Sequence, residues 1–255
     1  YTQQNGADNP FDGVDVGNFA KPTAMDMDND GDLDMVVGNY DGELMYLKNT
    51  GTKTNPVYTQ QNGADNPFVA FNLEQVGANN PGSRIERSAA TPTSMDMDND
   101  GDLDMVVGTY GDGLLYLKNT GTNTNPVYTQ QNGENNPFNT LIVGKNAVPT
   151  STDMDKDGDL DMVVGNEAGK LMYLKNTGTK TNPVYTQQNG ADNPFDGLLY
   201  YKKEAAPTYM DMNNDGDLDM VLGVDSLLVY LKNTGTNSVF KEQNGADNPF
   251  DMVTL

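Results

Sequence analysis

The chain of 255 residues contains no cysteine and no histidine. Lack of cysteine excludes a disulfide framework and a thiol nucleophile, and lack of histidine excludes an imidazole base and His-based zinc or haem ligation. Basic residues are scarce too: 15 lysines and arginines stand against 37 aspartates and glutamates, for a net charge of −22 at pH 7. So negative a chain repels phosphate backbones and anionic lipid, and no nucleic-acid partner is expected. No apolar run approaches the roughly 20 residues that span a bilayer, so a soluble chain without a membrane span is expected. What survives these exclusions is carboxylate chemistry, and its commonest form in so acidic a chain is a hard cation held by oxygen ligands.

What is present is repetition. The string YTQQNGADNPF at residues 1–11 returns at 58–68 and 185–195, with variants at 128–138 and 240–250. An Asp-rich nonapeptide starts at Asp26, Asp96, Asp153 and Asp211, and each copy is followed by an apolar run and by LKNTGT, beginning at Leu47, Leu117, Leu174 and Leu231. The nonapeptides lie 70, 57 and 58 residues apart. The long spacing comes from an insert of about a dozen residues after Phe68, which loops accept at little cost. The insert carries Glu86 and the only arginines, Arg84 and Arg87. A solvated loop is expected there, with a binding loop as the alternative. The whole of 1–255 reads as one repeat domain, with repeats near 12–68, 69–138, 139–195 and 196–255 and an extra copy of the closing segment at 1–11. Because the chain opens inside a repeated string, a trimmed or processed product is expected.

Within one repeat the signals are β-like. Residues 22–28, 33–38, 43–49 and 57–61 are short runs with strand composition, separated by Asp41-Gly42, Asn49-Thr50-Gly51 and other turn signals that supply positive φ. No stretch shows a capped helical period. A four-stranded unit cannot bury both faces alone, so neighbours must stack. The reading is an all-β fold, a β-propeller of four repeats, each a four-stranded antiparallel blade with a calcium loop. A linear β-solenoid is the alternative.

The four nonapeptides are DMDNDGDLD, DMDNDGDLD, DMDKDGDLD and DMNNDGDLD. Oxygen donors at positions 1, 3 and 5 converge, glycine at 6 permits the turn, position 7 offers its carbonyl and position 9 closes the shell, which suits the six to eight oxygens of about 2.3–2.6 Å contact that Ca²⁺ takes. An EF-hand would need Glu at position 12, where Val37, Val107, Val164 and Leu222 stand. The candidate ligands are therefore Asp26, Asp28, Asp30, Asp32 and Asp34; Asp96, Asp98, Asp100, Asp102 and Asp104; Asp153, Asp155, Asp157, Asp159 and Asp161; and Asp211, Asn213, Asp215, Asp217 and Asp219. Of the 37 acidic residues, 19 lie in these loops. Packing them without a cation is electrostatically costly. About four Ca²⁺ are expected, one per repeat, with the Asn213 loop the weakest. With affinities of ~10⁻⁴ M, such sites fill outside the cell and stay empty at cytosolic calcium, so an extracellular or cell-surface location is expected.

The pattern P-T-x-x-D-x-[DN]-x-D-G-D-L-D-M-V-[VL]-G, followed by Tyr-Leu-Lys-Asn-Thr-Gly, resembles the FG-GAP/VCBS repeat of bacterial surface proteins and of integrin α-chain propellers. The resemblance covers nearly the whole chain. It implies calcium held between two strands of each blade, with Asp32, Asp102, Asp159 and Asp217 contributing main-chain oxygens, and a role in adhesion or in carbohydrate or protein recognition. The departure is the blade count, since such propellers commonly carry more than the four motifs here supply.

A non-catalytic, calcium-stabilised module for adhesion or extracellular assembly is the leading expectation. Self-association is part of it, because the extra strand copy at residues 1–4 can close the ring, belong to an upstream blade or be donated to another subunit. An extracellular protein or a glycan is the other expected partner. A lectin is the alternative, with Tyr46, Tyr116, Tyr173 and Tyr230 as stacking platforms, although one tyrosine at the same position of every repeat more often packs a core. A carboxylate glycoside hydrolase is remote, because no acid pair stands apart from the repeated loops.

Overall fold

The computed structural model describes residues 4–71, 89–111, 113–198, 204–225, 227–235 and 239–250; residues 1–3, Arg84 and Arg87 lie outside them. Each repeat folds as an antiparallel meander whose strands pair in chain order. Blade 1 is β1 (Lys21–Met25), β2 (Asp34–Gly38), β3 (Leu44–Asn49) and β4 (Tyr58–Gln61). Blade 2 is β5 (Thr91–Met95), β6 (Asp104–Gly108), β7 (Leu114–Asn119) and β8 (Tyr128–Gln131). Blade 3 is β9 (Val148–Thr152), β10 (Asp161–Gly165), β11 (Leu171–Asn176) and β12 (Tyr185–Gln188). Blade 4 is β13 (Ala205–Met210), β14 (Asp219–Val224), β15 (Leu227–Asn233) and β16 (Phe240–Gln243). The described residues contain no α-helix. The architecture is the all-β propeller expected from the repeats, and its antiparallel meanders are not the coils of a solenoid.

The second strand of each blade shows why its sequence is a continuous apolar run rather than an alternation. Successive side chains point to opposite faces. In β6, Val106 joins a core shared with blade 3, while Met105 and Val107 join a core shared with blade 1. Both faces of the strand are buried, so both sets of positions are apolar. The three inter-blade cores among the described residues therefore hold the blades together, and blades 2 and 3 each contribute one face to the blade before and one to the blade after.

The repeated string QNGADNPF also has a packing role. After each outer strand the chain makes a 3₁₀ turn, as at Gly63–Asp65 and Gly133–Asn135. Asn66 then donates its side-chain N–H to the Leu44 carbonyl at 3.2 Å and accepts from the Phe68 N–H at 3.0 Å, which fixes the direction of the phenylalanine. Phe68, Phe138 and Phe195 are each only 1% exposed. Phe68 and Phe138 stack on Tyr128 and Tyr185 of the following blade with centroids 4.6 Å apart, and Phe195 meets Phe240 at 4.9 Å. Each pair adds roughly 0.5–1.5 kcal/mol beyond area burial. Phe11, in the extra copy at the start of the chain, stacks on Tyr58 in the same way at 4.6 Å.

Candidate metal centres

Each acidic loop connects the first strand of a blade to the second. Position 4 takes a left-handed conformation, with φ between 56° and 62° at Asn29, Asn99, Lys156 and Asn214. Position 6 is a glycine at positive φ, 93° at Gly31 and Gly101, where a side chain would be strained. This turn brings the backbone N–H groups inward. Asp26, at position 1, accepts from the N–H of Asp30 at 3.1 Å and of Gly31 at 3.0 Å, and Asp30 accepts from the N–H of Asp32 at 3.0 Å. Asp96 and Asp100 repeat these bonds at the same distances.

Position 9 is the anchor of the loop. Asp34 has no exposed surface. Its carboxylate accepts from the Tyr46 hydroxyl at 2.8 Å, the Asn49 N–H at 2.7 Å and the Met27 N–H at 3.2 Å. Asp104, Asp161 and Asp219 are held by the corresponding tyrosine, Tyr116, Tyr173 and Tyr230. Burial pushes the carboxyls of Asp34 and Asp161 up and that of Asp104 to about 6, while the hydrogen bonds from the asparagine N–H and the tyrosine hydroxyl oppose the shift. The tyrosines are pushed well above their ordinary value by burial and by the neighbouring carboxylate, so they stay protonated and donate. They are 5–6% exposed, and their position in every repeat is a core position.

In three loops the carboxylates converge. Ligand oxygens of Asp26, Asp28 and Asp34, of Asp96, Asp98 and Asp100, and of Asp153, Asp155 and Asp161 each lie within 4.8 Å of one another. Positions 1 and 3 take part every time, completed by position 5 or 9. The position 7 side chains join none of these three groups. Asp217 instead accepts from Lys156 of the neighbouring blade at 2.6 Å. Loop 4 forms no such trio of acids among the described residues, because Asn213 replaces the acid at position 3.

The lysine of LKNTGT was not among the expected site residues, yet Lys48, Lys118 and Lys175 reach back to pair with Asp28, Asp98 and Asp155. The hydrogen bond to Asp28 holds the Lys48 ammonium above its ordinary range. The recurrence of this lysine 20 residues after position 3 was its only sequence signal. In the first two loops it engages Oδ2 and leaves Oδ1 of Asp28 and Asp98 buried with no hydrogen-bond partner; in the third the unsatisfied buried atom is Oδ1 of Asp153. An orphaned carboxylate oxygen facing other carboxylates is costly unless a cation meets it. The donor set is all oxygen, and it fits a hard divalent cation.

The fold and these loops define a class: a β-propeller of short repeats, each with an acidic loop between its first two strands. Residues 153–222 match the family model of the FG-GAP-like repeat. That span runs from the first aspartate of loop 3 to Leu222 in β14, and the pattern it matches recurs in the other repeats. No curated protein matches the chain.

Proposed function

We propose that this chain is a non-catalytic, calcium-binding propeller that serves adhesion or assembly outside the cell. The observation that carries the calcium reading is the buried, unpartnered oxygen on Asp28, Asp98 and Asp153, each within a group of three carboxylates. Loops 1 to 3 hold the ion through positions 1, 3, 5 and 9 and the position 7 carbonyl; loop 4 holds it more weakly through Asp211, Asp215 and Asp219 with Asn213. A bound ion satisfies the orphaned oxygens, neutralises crowded charge and locks the first two strands of a blade at a fixed separation. Filling four such sites moves the net charge from −22 to −14. The non-catalytic reading rests on the periodicity of the acids, since no unique pair stands apart from the loops.

The lectin alternative draws less support. Its repeated tyrosines are committed to the buried aspartates, and the large exposed aromatics among the described residues are Phe11 and Phe19, which form no repeated set.

Thermal unfolding in calcium and in chelator, with equilibrium dialysis for stoichiometry, tests the proposal. At a hundredfold excess over Kd each filled site stabilises by about 2.7 kcal/mol. A large rise in Tm with calcium and three or four ions per chain is the expected result. A chelator-insensitive protein that retains no calcium would defeat it.

A further inference from the structure

The third strand of each blade carries a lysine at the same place: Lys48 in β3, Lys118 in β7, Lys175 in β11 and Lys232 in β15. Its position is fixed by its neighbour, because the N–H of the next residue bonds the buried aspartate at position 9, as Asn49 does to Asp34 and Asn119 to Asp104 at 2.7 Å. From there the ammonium reaches back over the acidic loop. In loops 1 to 3 it pairs with Oδ2 of position 3, at Asp28, Asp98 and Asp155, and lies 3.5–4.0 Å from position 5, at Asp30, Asp100 and Asp157. It thus faces two of the carboxylates that would share an ion.

Loop 4 shows what the arrangement depends on. Asn213 removes the charge at position 3, and Lys232 is left 3.9 Å from Asp215. Part of the charge of loop 4 is met from the neighbouring blade instead, by Lys156 on Asp217 at 2.6 Å. The strand lysine therefore follows the acid it neutralises. In loops 1 and 2 the orphaned Oδ1 of Asp28 and Asp98 belongs to the same carboxylate whose Oδ2 the lysine holds. One oxygen serves the tethered cation and the other is left for a free one.

We propose that Lys48, Lys118 and Lys175 are the resident counter-ions of loops 1 to 3: they hold each loop together while metal is absent and lower its calcium affinity when metal arrives. An exposed ion pair contributes little, but here one ammonium stands against the five carboxylates of its loop, and several of them feel its charge at once. A divalent ion on Oδ1 faces the ammonium across a single carboxylate, and the two cations repel. The ion prevails because it carries twice the charge and takes more oxygens than an ammonium has protons to offer. The lysine has room to yield, since Lys118 and Lys175 are about one third exposed and line open clefts of about 590 and 890 Å³ beside their loops. Such a loop answers to calcium at higher concentration than its acids alone would set, and it loses less stability when calcium is withdrawn. This inference rests on the calcium reading above and assigns the residues that tune it.

The test is calorimetric titration of the full chain with calcium chloride, with Tm measured in chelator and in calcium. Lys118→Met keeps an apolar stem and removes the charge, Lys118→Arg keeps the charge, and Lys232→Met removes the lysine that has no acid at position 3. Lys118→Met is expected to lower Tm in chelator and to tighten one calcium site by about tenfold or more. A lysine that merely supported the shape of the loop would weaken the site on removal, so the sign of the change is decisive. Lys118→Arg is expected to stay close to wild type in both measurements, and Lys232→Met to shift them less than Lys118→Met does. Unchanged or weaker calcium binding by Lys118→Met overturns the proposal, as does an unchanged Tm in chelator. Lys48→Met and Lys175→Met give the same two readings in their own loops, so a single variant that fails to fold leaves the others to decide. A wild type that takes up no calcium defeats the calcium reading instead, and the Tm of Lys118→Met in chelator then decides the counter-ion role alone.

Discussion

The aspartate at position 9 carries two demands that conflict at the scale of a single residue. It ties β2 to β3 through the tyrosine hydroxyl and the asparagine N–H, and it is fully buried with other carboxylates nearby. Removing one donor exposes the conflict. Tyr116→Phe leaves Asp104 one hydrogen bond short and is expected to lower stability by about 1–3 kcal/mol in chemical denaturation. The same group sets a pH dependence. In metal-free protein burial pushes the folded-state carboxyl of Asp104 up to about 6, above its ordinary range, so between that range and 6 the folded chain binds more protons than the unfolded one. Stability therefore falls as pH rises through that window. Chelated protein is expected to melt higher at about pH 5 than at about pH 7, and calcium is expected to reverse the order because its ligands must be ionised. A chelated protein whose Tm rises from the lower to the higher pH would contradict this account of Asp104.

At the scale of the element, stability belongs to the contacts between blades. The glycine near the end of each second strand illustrates it, because the same residue is under different constraint in different blades. Gly108 lies against the Ala147 carbonyl, and Gly223 faces open space apart from Ala206. Gly108→Ala is expected to cost about 1–3 kcal/mol or more by forcing blades 2 and 3 apart. Gly223→Ala is expected to stay within about 0.5 kcal/mol of wild type. Paired denaturant titrations compare them, and equal effects would mean that the glycines serve the strand rather than the junction. Strand positions were legible in the sequence for a physical reason: short apolar, β-branched runs and the turn residues between them are local signals, and the repeats present them four times over. Which side of a strand meets the earlier blade and which the later was not legible, since both are apolar in β6 and its equivalents.

Over the whole molecule, the excess of negative charge opposes compaction, and the lysines at the loops offset only part of it. A net charge of −22 spread over 255 residues is a self-repulsion that salt screens. In chelator, raising the ionic strength from about 0.01 M to about 0.15 M shortens the Debye length from about 30 Å to about 8 Å and is expected to raise Tm. With calcium bound the increment is expected to shrink, because the loops are already neutralised. A scanning-calorimetry series in both conditions measures the difference, and a larger salt effect in calcium than in chelator would place the destabilising charge outside the loops.

The sequence by itself determined the repeat, the all-β blades, the acidic loops and the core role of the recurring tyrosines, because each is written in short-range pattern and multiplied by repetition. Candidate ligands at positions 1, 3, 5 and 9 were legible from spacing alone. Tertiary structure decided what spacing cannot express. It brought Lys48, Lys118 and Lys175 onto the position 3 or neighbouring loop carboxylates from two strands away. It set Asp34 beneath Tyr46, and it joined successive blades through the N–H groups of Ala90, Ala147 and Ala205. A repeat unit specifies both of its faces but carries no count of how many neighbours it will find; that depends on how the blades are disposed around the axis, which is settled only when they pack.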